Sequence, residues 1–399
     1  MPERALSGAR VLDLTHYIAG SYCTKLLADF GADVLKVERP GQGDEARRMG
    51  PFFQDEIDTE NSGLFLFLNT SKRGITLNLK TETGIGIFKE LVKEVDVLVE
   101  NFSPRVMPSL GLDYHSLENI NPSLVMTSIS NFGQTGPYRD YKATEIVNMA
   151  MSGHLSSIGE RDRPPVKSAG SQAQFHAGLM GAIATLSALL SARTTGIGQH
   201  VDVSIMEAEM SMIELLVMYY PYSGEIVRRT GSQNGYYPWS VYPCSDGYVA
   251  INVHQVHWKR FGPWIGRPEL SGDPRYSLPQ QRLEHMEELD LIFVPWLLER
   301  TKAELVSIGQ AAGIPIAAVY DPKDILEDPS YEAREFFVEI DHPKTGKLTY
   351  PGAPFKMSET PWQVTRHAPL LGEHNEVVYC GQLGYSKEEL VRLREGGVV

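Results

Sequence analysis

Only three cysteines, Cys23, Cys244 and Cys380, occur in 399 residues. They are odd in number and widely scattered, which excludes a disulfide framework and leads to the expectation of reduced thiols in a cytoplasmic protein. Long apolar runs are missing too. The longest, residues 178–192, is interrupted by Thr185 and Ser187 and is shorter than a bilayer span, so no membrane partner is expected. No apolar region follows the first residues, and no secretory signal is read there. Positive charge is scarce: 37 Lys and Arg face 50 Asp and Glu, a formal net charge of -13. With no long basic run, nucleic acid is not expected as a partner, although an anionic cofactor needs only a local basic pocket. No Gly-x-Gly-x-x-Gly follows the first predicted strand, and neither a P-loop lysine motif nor a Gly-x-Ser-x-Gly elbow occurs. His254 and His257 have no cysteine nearby and only scattered carboxylates, which favours a surface or packing role, and no metal is expected.

What is present is an alternation of strands and helices. Residues 9–14 read as a strand. Cys23, Leu26, Leu27 and Phe30 then fall at i, i+3, i+4 and i+7, the apolar stripe of a helix that opens near Gly20 and Ser21 and stops at Gly31. Residues 33–37 supply the next strand, completing a βαβ unit. The pattern repeats with a strand at 75–79, a helix carrying Phe88, Leu91, Val92 and Val95, and strands at 97–99 and 124–129. This alternation predicts a parallel α/β sheet with helices on both faces. A long Met-, Leu- and Ile-rich helix is expected at 207–220. Beyond Pro221 the texture changes to antiparallel strands around Ser245-Asp246-Gly247, helices near 263–265 and 284–299, and a buried strand at 314–319. A hairpin at 341–354 and a closing helix at 387–394 end the chain.

The ordered segments carry a resemblance over nearly the whole length. Val11-Leu12-Asp13-Leu14-Thr15-His16, the run from Leu26 to Glu38, Asn69-Thr70-Ser71-Lys72-Arg73 and Val99-Glu100-Asn101-Phe102 come first. Gly133-Gln134-Thr135-Gly136-Pro137-Tyr138, Ala150-Met151-Ser152-Gly153, the run from Thr195 to Ser204 and Ala368-Pro369-Leu370-Leu371-Gly372-Glu373-His374 follow. Together they resemble the class III CoA-transferases, the family of formyl-CoA and carnitine CoA-transferases. The resemblance implies an interlocked homodimer and a large Rossmann-like parallel-sheet domain built from both chain ends (1–220 and 326–399), with a smaller inserted α+β domain at 221–325. It also implies acyl-CoA and a carboxylic acid as substrates.

CoA is a polyanion, and its phosphates ask for Lys and Arg beside loops with free backbone amides. The resemblance implies CoA contacts at His16, Arg39, Leu77, Lys80, Asn101 and Lys142, and at Arg105 in place of an arginine that relatives carry near Ser109. In relatives a catalytic aspartate lies four residues before a glycine that corresponds to Gly178; here that position is Gln174. A neutral amide cannot be ionised and is a poor nucleophile, but it can donate to an oxyanion. Four readings stay open. Another carboxylate replaces the aspartate, with Glu145 first and Glu160 or Asp162 behind it. An isomerase, lyase or hydrolase acts on acyl-CoA without a covalent intermediate, with His176 or Glu145 as base. A racemase of the α-methylacyl-CoA kind would need a His and an Asp where Thr144 and Gln174 stand. The last is a binder that does not turn acyl-CoA over. Gly231 and Gly235, flanking Ser232-Gln233-Asn234, match a glycine-rich loop that closes over the thioester in the family.

Overall fold

The computed structural model describes residues 4–233 and 235–399. Two compact units form. The first joins the chain up to His154 with Ser168–Leu215 and Glu335–Val399, and the second joins Leu155–Lys167 with Leu216–Arg334.

In the first unit six parallel strands, β1 (Arg10–Asp13), β2 (Asp33–Glu38), β3 (Arg73–Thr76), β4 (Val97–Glu100), β5 (Val125–Ser130) and β6 (Gln199–Ser204), run in the order β3-β2-β1-β4-β5-β6. Every residue of β4 and β5 is buried, as parallel strands covered on both faces require. The order reverses between β1 and β4, and in such sheets ligands dock outside the carboxyl ends of the strands at that crevice. Helix α1 (Ala19–Asp29) follows β1 and ends before Gly31, which takes φ +106°. The third strand lies two residues earlier than its apolar run suggested. β3 is a sheet edge: Leu77 N–H still bonds the Glu38 carbonyl of β2, but Asn78 N–H turns to the Val398 carbonyl, both at 2.8 Å. Helix α2 (Glu82–Val92) then buries Ile87, Phe88, Leu91 and Val92.

The segment ending in Thr195-Gly196-Ile197-Gly198 folds for local reasons. A 24-residue helix ends at Thr195, and Gly196 takes the left-handed conformation (φ +74°) while its N–H bonds the Ala192 carbonyl at 2.8 Å. Gly198 then passes so close to the Leu124 backbone that a β-carbon would overlap it, and its N–H bonds the Pro122 carbonyl at 2.8 Å as β6 begins. By length and composition this helix, Gln172–Thr195, could cross a membrane. Here its glycines seat it in the core: a β-carbon on Gly178 would lie 2.5 Å from the Ala19 carbonyl oxygen, and one on Gly181 2.7 Å from Ile129. The helix expected at 207–220 is broken. Ile205–Met210 and Glu214–Ser223 are separated by a 3₁₀ turn at Ser211–Ile213, where the Ser211 hydroxyl bonds the Ala208 carbonyl.

The second unit holds an antiparallel sheet of β7 (Trp239–Cys244), β8 (Gly247–Asn252) and β9 (Ile316–Ala318). Phe261, Phe293, Leu297 and Trp258 form its core. Arg282 is buried within it, donates to the Tyr237 and Tyr276 carbonyls and lies over the Trp258 ring. Back in the first unit, the hairpin β10 (Phe337–His342) and β11 (Gly346–Pro351) packs Ile340 and Tyr350 against Phe65 and Leu66.

Candidate active site

A cavity of about 350 Å³ opens at the carboxyl ends of β1 to β4, where the strand order reverses. Its floor is tied together by buried ions. Asp13, the last residue of β1, accepts from Thr15 through both N–H and hydroxyl and lies 3.0 Å from Lys72 Nζ. Burial would raise the Asp13 carboxyl, but Lys72 and Lys36 outweigh it and hold it at about 2. Burial in turn brings Lys72 down to about 8. Lys36 donates to the Thr15 carbonyl and pairs with Asp44, whose other oxygen takes N–H bonds from Tyr17 and Ala46. Arg47 grips both oxygens of Glu38. Buried pairs of this kind gain little net stability, but removing one member strands the other, so the loops they fix are held in one arrangement.

His16, Arg39, Leu77 and Lys80 line the cavity. His16 Nδ1 meets Glu45 at 2.8 Å, and that bond is the largest influence holding the Glu45 carboxyl at about 2. Asn101 clamps the His16 backbone from the end of β4, accepting its N–H and donating to its carbonyl. Arg39 bonds Gln42, and Lys80 is exposed. Arg105 and Lys142 do not line the cavity. Arg105 forms a bidentate, largely exposed pair with Asp140, while Ser109 lines the wall. Phe102, Val106 and Leu110 complete an apolar side that charge-seeking sequence reasoning passed over, although Val106 and Leu110 sit at helical i, i+4 spacing. Beside Asn101, burial pushes the Glu100 carboxyl up to about 7.

The second cluster gathers at the start of the long helix, α4 (Gln172–Thr195), preceded in the chain by α3 (Glu145–Met151) and followed by α5 (Ile205–Met210). Gln174 is in the first turn of α4, and its side-chain amide makes no hydrogen bond among the described residues. Ser171 precedes the helix without capping it. The cap comes instead from α3: Glu145 accepts the N–H groups of Ala173 (2.9 Å) and Gln174 (3.3 Å). Two amides at the positive end of a helix stabilise negative charge there. His176 Nδ1 meets Glu209 of α5 at 2.6 Å, and His154 Nδ1 meets the other oxygen of the same carboxylate. Glu209 is fully buried. The sequence did not reveal it, since its partners are remote along the chain; its only signal is that it shares a helix face with Ile205, an i, i+4 pair buried together. The structure thus sets Glu145 on the backbone amide of Gln174, while His176, two residues further along the helix, faces Glu209 instead. Glu160 and Asp162 are exposed in the second unit. There the Gly231 N–H bonds the Gly159 carbonyl, while Asn234 lies outside the described residues. Among the described residues no group of three or more potential metal ligands occurs, and His254 packs edge-on against Tyr236.

The family model of CoA-transferase family III matches residues 6–375. The chain belongs to this family, a family of CoA-transferring enzymes. It is 37% identical to a formyl-CoA:oxalate CoA-transferase of Streptomyces avermitilis, covering 99% of this chain and 100% of that one. A succinyl-CoA--D-citramalate CoA-transferase of Chloroflexus aurantiacus is 35% identical, covering 100% of this chain and 99% of the relative. Among solved structures, a CAIB/BAIF family protein from Brucella suis superposes with a TM-score of 0.85 at 31% identity, covering 95% of this chain and 99% of that one.

Proposed function

We propose that this protein moves CoA between carboxylic acids, with Glu145 supplying the carboxylate that position 174 lacks. One observation carries the reading: the Glu145 carboxylate rests on the backbone amide of Gln174 itself. In the proposed cycle Glu145 attacks the donor thioester carbonyl, giving a mixed anhydride and CoA thiolate. The thiolate then attacks the glutamyl carbonyl, releasing the donor acid and leaving a glutamyl-CoA thioester. The acceptor carboxylate attacks that thioester, and the thiolate finally takes the acceptor acyl group, restoring Glu145. The Gln174 side-chain amide, which has no hydrogen-bond partner among the described residues, can donate to the oxyanion formed at each attack.

CoA is read into the cavity at β1 to β4, its phosphates toward Arg39 and Lys80, with Arg105 and Lys142 meeting any part that extends outside. The names of the relatives suggest small acids, with a second carboxylate on the acceptor. We further infer an interlocked homodimer in the cytoplasm, with a large CoA-binding domain, an inserted small one and a lid at 231–235. A second reading rests on the His176–Glu209 pair, an imidazole oriented by a buried carboxylate. It would use His176 as base for acyl-CoA isomerisation, lysis or hydrolysis without a covalent intermediate.

Incubation with formyl-CoA or succinyl-CoA and a panel of free acids, followed by mass spectrometry, tests the proposal. A new acyl-CoA supports transfer. Altered or freed acyl groups support the second reading, and an unchanged mixture despite CoA binding would mark a binder and overturn both.

A further inference from the structure

The first turn of α4 has no local cap, yet it carries Gln174 and the amides that hold Glu145. Glu145 secures it from one side. On the other, Glu209 is wholly buried, and a buried carboxylate costs several kcal/mol unless its oxygens are engaged. Here each oxygen has an imidazole: His176 within the first turns of α4 and His154 just beyond α3. A carboxylate only accepts, so each ring carries its proton on Nδ1. Three separate segments therefore converge on one anion: the stretch after the helix begun by Glu145, the helix that begins beside Gln174, and α5.

We propose that Glu209 is a positioning residue of the site, a brace that works through His176 and His154 to fix the start of α4 relative to α3. It sets the Glu145–Gln174 geometry without touching substrate. This rests on the reading that thioester chemistry occurs at that corner. The brace does not reach the CoA cavity, whose lining contains none of these three residues.

The test measures steady-state transfer from succinyl-CoA to an acceptor acid in Glu209→Gln, His176→Ala and His176→Asn, together with amide hydrogen exchange of the peptide 171–177. Asparagine keeps an N–H donor near the place of Nδ1 but has no basic nitrogen. The expected result is a kcat lowered about tenfold or more in Glu209→Gln and His176→Ala, the scale of a small misplacement of reacting groups. KM for acyl-CoA should stay within about twofold, since binding and turnover report different interactions. His176→Asn should recover most of the lost turnover, and exchange at 171–177 should quicken in the first two variants. If Glu209→Gln does not fold, His176→Ala carries the test alone, because His154 remains on the carboxylate. An unchanged kcat, an unchanged exchange rate, or an asparagine variant as inactive as the alanine one would overturn the brace. If the unaltered protein transfers no CoA, the site reading fails by itself, and exchange at 171–177 still judges the brace.

Discussion

At the residue scale the chain carries Gln174 at the start of a helix whose first amides are held by Glu145. Gln174 was legible by counting back from Gly178, because the resemblance to the class III CoA-transferases places the family's aspartate four residues before that glycine. That Glu145 caps the same turn was not legible, since two backbone amides leave no mark in the side-chain pattern. Glu209 was hidden for a related reason: its partners are His154 and His176, far away along the chain. Glu145→Gln is expected to lower transfer kcat by about a hundredfold or more, as loss of a covalent nucleophile does, with CoA affinity little changed by calorimetry. Adding Gln174→Asp to that variant should restore transfer, because the family's carboxylate then stands in its usual place.

Glu100 gives a prediction with a definite sign. Its folded pKa, about 7, lies above the ordinary glutamate value of 4.5, so between those values the folded state holds more protons than the unfolded one. Stability therefore falls as pH rises through that window and is fully penalised above it. Glu100→Gln should keep the Phe102 N–H bond, which a Gln oxygen can also accept, and remove the penalty. Thermal unfolding should show the variant more stable than the parent at pH 8, by up to about 3 kcal/mol, with the gain vanishing near pH 4.

At the element scale the sheet was largely legible, because strands buried on both faces read as continuous β-branched runs and α1 announces itself by its apolar stripe. Two elements departed from pattern for tertiary reasons. The β3 run ends early because the C-terminal segment, not a neighbouring strand, pairs with Asn78. The long apolar helix after β6 breaks where Ser211 turns back on Ala208. Glycines on helix faces separate packing from propensity. Gly178→Ala would push a methyl against the Ala19 carbonyl and should cost about 1–3 kcal/mol in urea unfolding. Gly86, in α2 with open space around it, should gain about 0.5–1 kcal/mol on replacement by alanine. Equal effects at the two sites would contradict the close α1–α4 contact.

At the scale of the whole molecule, a net charge of -13 must admit a polyanion, and only local placement of cations allows it. Arg39 and Lys80 stand at the cavity with Glu45 already engaged by His16. Arg39→Ala and Lys80→Ala should each weaken CoA binding by about twofold to fivefold at low salt and less at high salt, as exposed charges screened by ions do. The alternation of elements and the ordered motifs made the architecture readable. The contribution of residues 155–167 to the second unit was not, because that short segment has no periodicity to mark where it packs.

Oxygen exchange distinguishes Glu145 from every other carboxylate as the one that forms the anhydride. With an acceptor acid carrying heavy oxygen in its carboxylate, each cycle leaves one acceptor oxygen on the enzyme carboxyl that formed the anhydride. Digestion and mass spectrometry should find that label on Glu145. Turnover with no label there, or with label on another carboxylate, would exclude Glu145 as the nucleophile.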